Sequence, residues 1–161
     1  MLIIGLGNPD RGDDAAGLLV ARRLVERGIQ AIEHVGGTLD LIEILRTADC
    51  ALVVDAVVSG AVPGTLHMWD AQRADLRSRV FRSSTHALNL ADAIELARVL
   101  HRLPNQLTVY GIEAAHFVVG TPPSAQVLVG VERTVEHILS HMASSSCDLG
   151  ACSFPPKRFP A

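Results

Sequence analysis

The 161-residue sequence has few aromatic residues, little charge of either sign and no long apolar run. Aromatic residues make up 4% and charged residues 19%, whereas hydrophobic residues reach 48%, so we expect a folded chain with an aliphatic core. The net charge of -3 gives no basic excess for binding nucleic acid. No apolar run reaches the ~18–20 residues of a membrane-spanning helix. With no signal-peptide pattern at the N-terminus, we expect a cytoplasmic protein.

Cysteine is scarce, and several familiar motifs are missing. The three cysteines are an odd number, and two of them, Cys147 and Cys152, stand in a polar tail without zinc-site spacing. Asp10 replaces the third glycine of GxGxxG, and the acidic residues that follow would repel a pyrophosphate. The sequence contains no GxxxxGK[ST], GxSxG or HExxH. These absences disfavour a disulfide-rich domain and exclude the commonest nucleotide, serine-hydrolase and zinc-protease motifs.

Apolar segments of strand length alternate with amphipathic helical segments along the chain. This alternation predicts an α/β three-layer sandwich of the phosphorylase/hydrolase-like kind, with an about five-stranded, mostly parallel twisted sheet and helices on both faces. A short turn before the fourth strand allows that strand to run antiparallel. We assign residues 1–142 to a single domain and expect 143–161, rich in Ser and Pro, to be a disordered tail. The predicted strands are 1–6, 30–35, 51–55, 65–69 and 106–112, and the predicted helices are 13–27, 39–46, 88–101 and 124–142.

Polar side chains stand where the carboxyl edge of this sheet is expected. Asp14 opens the helix after the first strand, Asp55 ends the third strand, and His86 opens the helix before the fifth strand. A carboxylate that directly follows an apolar strand is partly desolvated and needs a donor or a cation. Two carboxylates and one imidazole suit a borderline divalent metal such as nickel, zinc or cobalt. We therefore predict that these three residues form one site.

Asp14 and His86 also have structural interpretations, whereas Asp55 is harder to explain in that way. An acidic residue at a helix start is commonly a cap, and we assign that role to Asp13, which leaves Asp14 for function. Thr38 is a possible cap of the second helix. His86 follows Ser-Ser-Thr and could simply open its helix, and His116, in a loop, is its competitor for a site role.

The segment GLGNPDRGDDAAG, at residues 5–17, resembles the opening motif GxGNxxxxD[DE]xxG of the nickel–iron hydrogenase maturation proteases. Further segments match in the same order over roughly residues 1–142. These are the GT turn at 37–38, VDA…G…PG at 53–64, S-x-H at 84–86 and the GI-E/Q strand end at 111–113. An ordered set of matches is far more specific than any one of them.

The resemblance implies an endopeptidase that removes a short C-terminal extension from a hydrogenase large-subunit precursor after nickel insertion. It also implies that Asp14, Asp55 and His86 contact the nickel. The family often has Glu where this chain has Asp14, which is one methylene shorter. The resemblance further implies that the precursor carries the nickel as the recognition element, so we expect no tightly held metal in the protein itself.

The catalytic chemistry is expected to be aspartyl-protease-like, with Asp14 or Asp55 as the general base on water. Whether the nickel also polarises the scissile carbonyl is left open. We assign Asn8, Gly37 and Thr38 to substrate binding. The precursor should dock on the loops 9–12, 57–63 and 116–123.

Two other functions are considered. One is a non-catalytic chaperone of the same fold that binds nickel or the precursor. The other is a peptidyl-tRNA hydrolase-like enzyme, because GLGNP is similar to the start of that family. The chain lacks that family's following Tyr and R-H-N triplet, and its negative charge suits tRNA poorly. The helices have ordinary apolar stripes, so we expect a monomer with no nucleic-acid or membrane partner.

Overall fold

A computed structural model describes residues 1–74, 76 and 90–145 of the chain. Within these residues, no helix is both long and apolar enough to cross a membrane. The strands are β1 (Leu2–Leu6), β2 (Ile32–His34), β3 (Cys50–Val57), β4 (Leu66–Asp70) and β5 (Gln106–Glu113). The helices are α1 (Ala16–Glu26), preceded by a 3-10 turn at Gly12–Ala15, then α2 (Thr38–Leu45), α3 (Leu90–Val99) and α4 (Ala125–Ser145).

The strands form one five-stranded sheet in the order β2-β1-β3-β5-β4. Neighbouring strands run parallel, except that β4 is antiparallel to β5 at one edge. The segment between β3 and β4 is too short for a crossover helix, so β4 returns in the opposite direction. The predicted α/β class and mostly parallel sheet are confirmed.

Two apolar clusters cover the two faces of the sheet. Alternate residues of β3 divide between them, since side chains along a strand point to opposite faces. Val53 and Val57 pack with residues of α2 and α3, whereas Leu52 and Val54 pack with residues of α1 and α4. Because both faces are covered, β3 is buried almost throughout. Asp55 lies between Val53 and Val57 along β3, so its side chain points to the α2 and α3 face.

Helix α1 approaches the sheet through backbone-to-backbone contact at Gly17. A Cβ atom added there would lie 2.3 Å from the carbonyl oxygen of Val54 and 2.4 Å from that of Leu6. Only a residue without a side chain allows this distance. The close packing sets the start of α1, and the acidic turn before it, directly above the edge of the sheet.

The element boundaries differ from the predicted ones at a few points. The first helix is split, because a 3-10 turn with Gly12 at a φ of 58° precedes α1. The N-cap of α2 is Gly37, which has no side chain to cap the helix, and Thr38 is the first helical residue. The prediction of Thr38 as the cap is therefore wrong. Helix α4 continues past Met142 to Ser145. Residues 88–89 of the predicted third helix and 146–161 of the predicted tail lie outside the described residues.

Candidate active site

The structure brings Asp14 and Asp55 to the same edge of the sheet. Asp14 lies in the 3-10 turn that follows β1, and Asp55 lies near the carboxyl end of β3. Strands β1 and β3 are parallel neighbours, so their carboxyl ends meet. Both side chains are largely buried, with 8% of Asp14 and 7% of Asp55 exposed. The edge of the sheet at which a parallel α/β fold binds its ligands therefore holds two buried carboxylates.

The two carboxylates interact electrostatically. Burial raises the pKa of Asp55 to about 7, and the negative charge of Asp14 adds to the rise. The Ala56 N–H group, which donates to Asp55 Oδ1 at 2.8 Å, opposes it. Neighbouring carboxylates that resist ionising together hold a proton near neutral pH or attract a cation. The pair can therefore exchange protons with water or contact a metal ion.

Arg11 places a positive charge beside this pair. Its Nη1 atom lies 3.8 Å from Asp14 Oδ2, and its Nη2 atom donates to the carbonyl oxygen of Phe117 at 3.5 Å. Arg11 thus connects the loop at residues 7–12, the first-motif loop, with the loop between β5 and α4. The sequence analysis did not identify Arg11. The sequence offered one indication of this pair, because Arg11 stands three residues before Asp14 and such spacing brings side chains together in a helical turn.

Asp13 does not cap its own turn, contrary to the prediction. Its carboxylate accepts hydrogen bonds from the backbone N–H groups of Ala115 (2.7 Å), His116 (3.1 Å) and Ser124 (2.6 Å), and from Ser124 Oγ (3.1 Å). Burial alone would raise the pKa of Asp13, but these bonds outweigh it and leave the pKa below its ordinary value. Asp13 is structural, as expected, but it fastens the loop before α4 to the acidic turn.

His86 lies outside the described residues, so its predicted place beside the two carboxylates stays a prediction. Its competitor His116 packs against the first-motif loop. A Cβ atom added at Gly12 would lie 2.8 Å from Cε1 and Nδ1 of the His116 ring. In the described part of the chain, no three His, Cys, Asp or Glu side chains are grouped so as to hold a metal ion. His116 therefore does not complete a metal site with Asp14 and Asp55.

The residues predicted to bind substrate follow β1 and β2 at the same edge of the sheet. Asn8 Oδ1 accepts the N–H group of Asp10 at 2.9 Å, and the Asn8 N–H group donates to the carbonyl oxygen of Asp14 at 3.3 Å. Asn8 thus shapes the loop that leads to Asp14. Gly37 and Thr38 follow β2 at the start of α2. The assignment of Asn8, Gly37 and Thr38 to substrate binding stays a prediction.

Glu113 is a buried acidic residue whose contacts the sequence analysis missed. It ends β5 with 1% of its surface exposed. Oε1 accepts the N–H groups of Ser59 (2.8 Å) and Gly60 (2.9 Å), and Oε2 accepts Ser59 Oγ (2.7 Å) and contacts His67 Nε2 (3.1 Å). Glu113 therefore fixes the turn that follows β3, close along the chain to Asp55. An acidic residue at the end of an apolar strand was the signal, the same one that identified Asp55.

Ser59, His67 and Glu113 have the residue types of a catalytic triad but not its geometry. Both Ser59 Oγ, at 3.4 Å, and Glu113 Oε2, at 3.1 Å, approach the same nitrogen, Nε2 of His67. A triad uses one imidazole nitrogen for the nucleophile and the other for the acid. Ser59 Oγ also donates to Glu113 at 2.7 Å. The cluster therefore holds a loop and does not activate a serine.

Comparisons with known proteins point to one protein family. A family model described as hydrogenase maturation protease matches residues 21–141. The chain is 30% identical over 122 residues to hydrogenase expression/formation protein HupM of Azotobacter chroococcum, covering 71% of this chain and 57% of that protein. The chain thus spans little more than half the length of the first curated relatives that it matches.

Solved structures that share the fold include two hydrogenase maturation proteases. The [NiFe] hydrogenase maturation protease HybD from Thermococcus kodakarensis aligns with a TM-score of 0.71 and 27% identity, over 86% of this chain and 96% of that one. The hydrogenase maturating endopeptidase HybD from E. coli aligns with a TM-score of 0.73 over 89% of this chain and 92% of that one. At 24% identity, the second comparison supports the fold alone.

Proposed function

The chain belongs to the hydrogenase maturation protease family, and from this premise we propose that it is the endopeptidase that trims a hydrogenase precursor. The proposed substrate is the large subunit of a nickel–iron hydrogenase, which loses its C-terminal extension after nickel insertion. The observation that carries the proposal is the buried pair Asp14 and Asp55 at the carboxyl edge of the sheet. A peptidase needs a group that takes up and releases protons, and within this pair Asp55 has a pKa of about 7.

The carboxylate pair supports hydrolysis by general acid–base chemistry. The ionised carboxylate takes a proton from a water molecule as the water oxygen attacks the scissile carbonyl carbon. The proton then passes to the amide nitrogen as the C–N bond breaks, so the carboxylate is restored. A pKa of about 7 for Asp55 suits a base that works near neutral pH. Asp14, its neighbour, is the alternative base.

We further propose that nickel in the precursor is the recognition element. The precursor's own cysteines would hold the ion, and Asp14, Asp55 and His86 would complete its coordination. The electrostatics of the described pair support this, because a divalent cation removes the repulsion between two buried carboxylates. A precursor without nickel lacks that attraction and binds less tightly, which is specificity by differential affinity.

Cleavage is tested by mixing the protein with nickel-loaded precursor and following the mass of the large subunit. We expect a C-terminal loss, and we expect Asp55→Asn to slow it at least ~10²-fold, as for removal of a general base. His86→Ala should also abolish it. The matched control is Asp49→Asn, an exposed carboxylate just before the amino end of β3. Stable binding without any mass loss would overturn the protease proposal in favour of the chaperone.

A further inference from the structure

A tyrosine buried under α4 is hydrogen bonded to a histidine of that helix. Tyr110, in the middle of β5, is fully buried, and its hydroxyl lies 3.0 Å from His137 Nδ1. The two rings meet edge to face, with centroids 5.6 Å apart. Burial raises the pKa of Tyr110 far above its usual range, so the phenol stays protonated. The hydroxyl therefore fixes the orientation of the His137 ring through one of its two nitrogens.

A second imidazole lies one helical turn further on. His141 follows His137 at the i, i+4 spacing that places two side chains on one face of a helix. Their ring centroids are 4.5 Å apart with a tilt of 46°. The same spacing supplies the two zinc-binding histidines of helical HExxH motifs. The acidic neighbour Glu136 is paired with Arg27 of α1 and is not a third ligand.

We propose that His137 and His141 form a second site, which binds a borderline divalent cation such as Ni²⁺, Zn²⁺ or Cu²⁺. Each neutral imidazole would supply one nitrogen, and solvent would occupy the remaining positions. His137 would bind through Nε2 while its Nδ1–H group donates to the Tyr110 oxygen. Ligating histidines usually carry such a bond on their second nitrogen, which orients the ring. Tyr110 is thus a positioning residue for this site.

The second site is remote from the carboxylate pair. Helix α4 begins next to Ser124, which is bonded to Asp13, and His137 lies twelve residues after Ala125. At ~1.5 Å per residue, that is about 18 Å along the helix axis. Metal binding at the two histidines can therefore be measured independently of cleavage, and it does not depend on the proposed function.

The test is a titration of the full chain with Zn²⁺ or Ni²⁺ alone, by calorimetry and by NMR of the imidazole nitrogens. Asp55→Asn serves as the parent protein, so that the carboxylate pair contributes less to binding. We expect His137→Gln and His141→Gln each to weaken binding at least tenfold, and Zn²⁺ to shift the His137 and His141 resonances. Tyr110→Phe should weaken binding about tenfold, the usual effect of losing a bond that orients a ligand.

The matched control is His101→Asn, which removes an exposed histidine just past α3 and tolerates its positive φ of 54°. It should bind like the parent. Binding that is unchanged in both His137→Gln and His141→Gln, or no saturable binding in the parent, would overturn the proposal. Circular dichroism of each variant checks that the helix is intact, so a loss of binding can be attributed to the missing imidazole.

Discussion

At the scale of single residues, Asp55 links the proposed chemistry to the stability of the fold. Its pKa rises from 3.8 to about 7 on folding, so the folded state binds the proton more tightly than the unfolded state does. Between pH 3.8 and about pH 7, the free energy of unfolding therefore falls as the pH rises. Above pH 7 the full cost of burying the ionised carboxylate is present. Below pH 3.8 the carboxyl is protonated in both states, and it contributes no such cost.

Asp55→Asn should consequently stabilise the protein at high pH while it slows cleavage. We expect its free energy of unfolding at pH 8 to exceed that of the wild type by about 1–3 kcal/mol, and the difference to shrink at pH 5. The amide oxygen of Asn can still accept the Ala56 N–H group. Urea denaturation at both pH values measures the effect, with Asp49→Asn as the control. If the two proteins differed in free energy of unfolding by the same amount at pH 5 and pH 8, the burial of an ionised Asp55 would be contradicted.

The same substitution should have different effects at the neighbouring acids Asp13 and Asp14. Asp13→Asn replaces an acceptor of four hydrogen bonds and should lower the free energy of unfolding by about 1–3 kcal/mol at pH 7. Because its pKa is lowered in the folded state, this contribution is present above the unfolded pKa and is lost as the pH falls through the folded value. Asp14→Asn should change stability little but abolish cleavage.

Denaturation at pH 7 and pH 3, together with the cleavage assay, separates these two roles. A destabilised Asp14→Asn protein alongside an unaffected Asp13→Asn protein would reverse the assignment. Sequence reasoning could single out Asp55, which directly follows the apolar residues of a strand, and Asp14, which opens the helix after the first strand. It could not identify the partners of Asp13, because the nearest of them, Ala115, lies 102 residues away along the chain.

At the scale of elements, Glu113 joins the end of β5 to the turn after β3. Glu113→Ala should release the backbone N–H groups of Ser59 and Gly60, so their amide hydrogens should exchange with solvent faster. We expect a loss of about 1–3 kcal/mol in stability, because the hydrogen bonds that the buried carboxylate accepts are lost. Hydrogen exchange measured by NMR tests this, with the exposed Glu26→Ala as control. Unchanged exchange at Ser59 and Gly60 would contradict the anchoring role.

The contact between α1 and the sheet makes a second prediction at this scale. Gly17→Ala places a Cβ atom against the carbonyl oxygens of Val54 and Leu6, so α1 must shift. We expect a loss of about 1–3 kcal/mol, as for other overpacked sites. The control is Gly37→Ala, whose added Cβ meets nothing within 4 Å at an ordinary φ of -78°. Thermal unfolding compares the two variants, and similar melting temperatures would contradict the close approach.

The elements themselves were largely predictable because their patterns are local. Continuous apolar runs indicated the buried strands, and the short segment before β4 allowed its reversed direction. The 3-10 turn before α1 was not predictable, because the bonds of Asp13 that accompany it reach the loop before α4. The strand order β2-β1-β3-β5-β4 also depends on long-range pairing that local patterns do not carry.

At the scale of the whole molecule, the fold places the 3-10 turn at Gly12–Ala15 and the carboxyl end of β3 at one edge of the sheet. Apolar layers on both faces bury the carboxylates there, and this burial gives Asp55 its raised pKa. Under the proposed function, the metal arrives with the substrate, and Asp14, Asp55 and His86 complete its coordination. Cleavage should then depend on nickel in the precursor more than on metal added to the protein.

The most direct test compares nickel-loaded and nickel-free forms of one hydrogenase large-subunit precursor in the same cleavage assay. Mass spectrometry of the large subunit follows the C-terminal extension, with wild-type protein and Asp14→Asn in parallel. We predict that wild-type protein shortens only the nickel-loaded precursor and that Asp14→Asn shortens neither. Equal shortening of both forms by the wild type would contradict nickel recognition by the carboxylate pair, and full activity of Asp14→Asn would contradict the site itself.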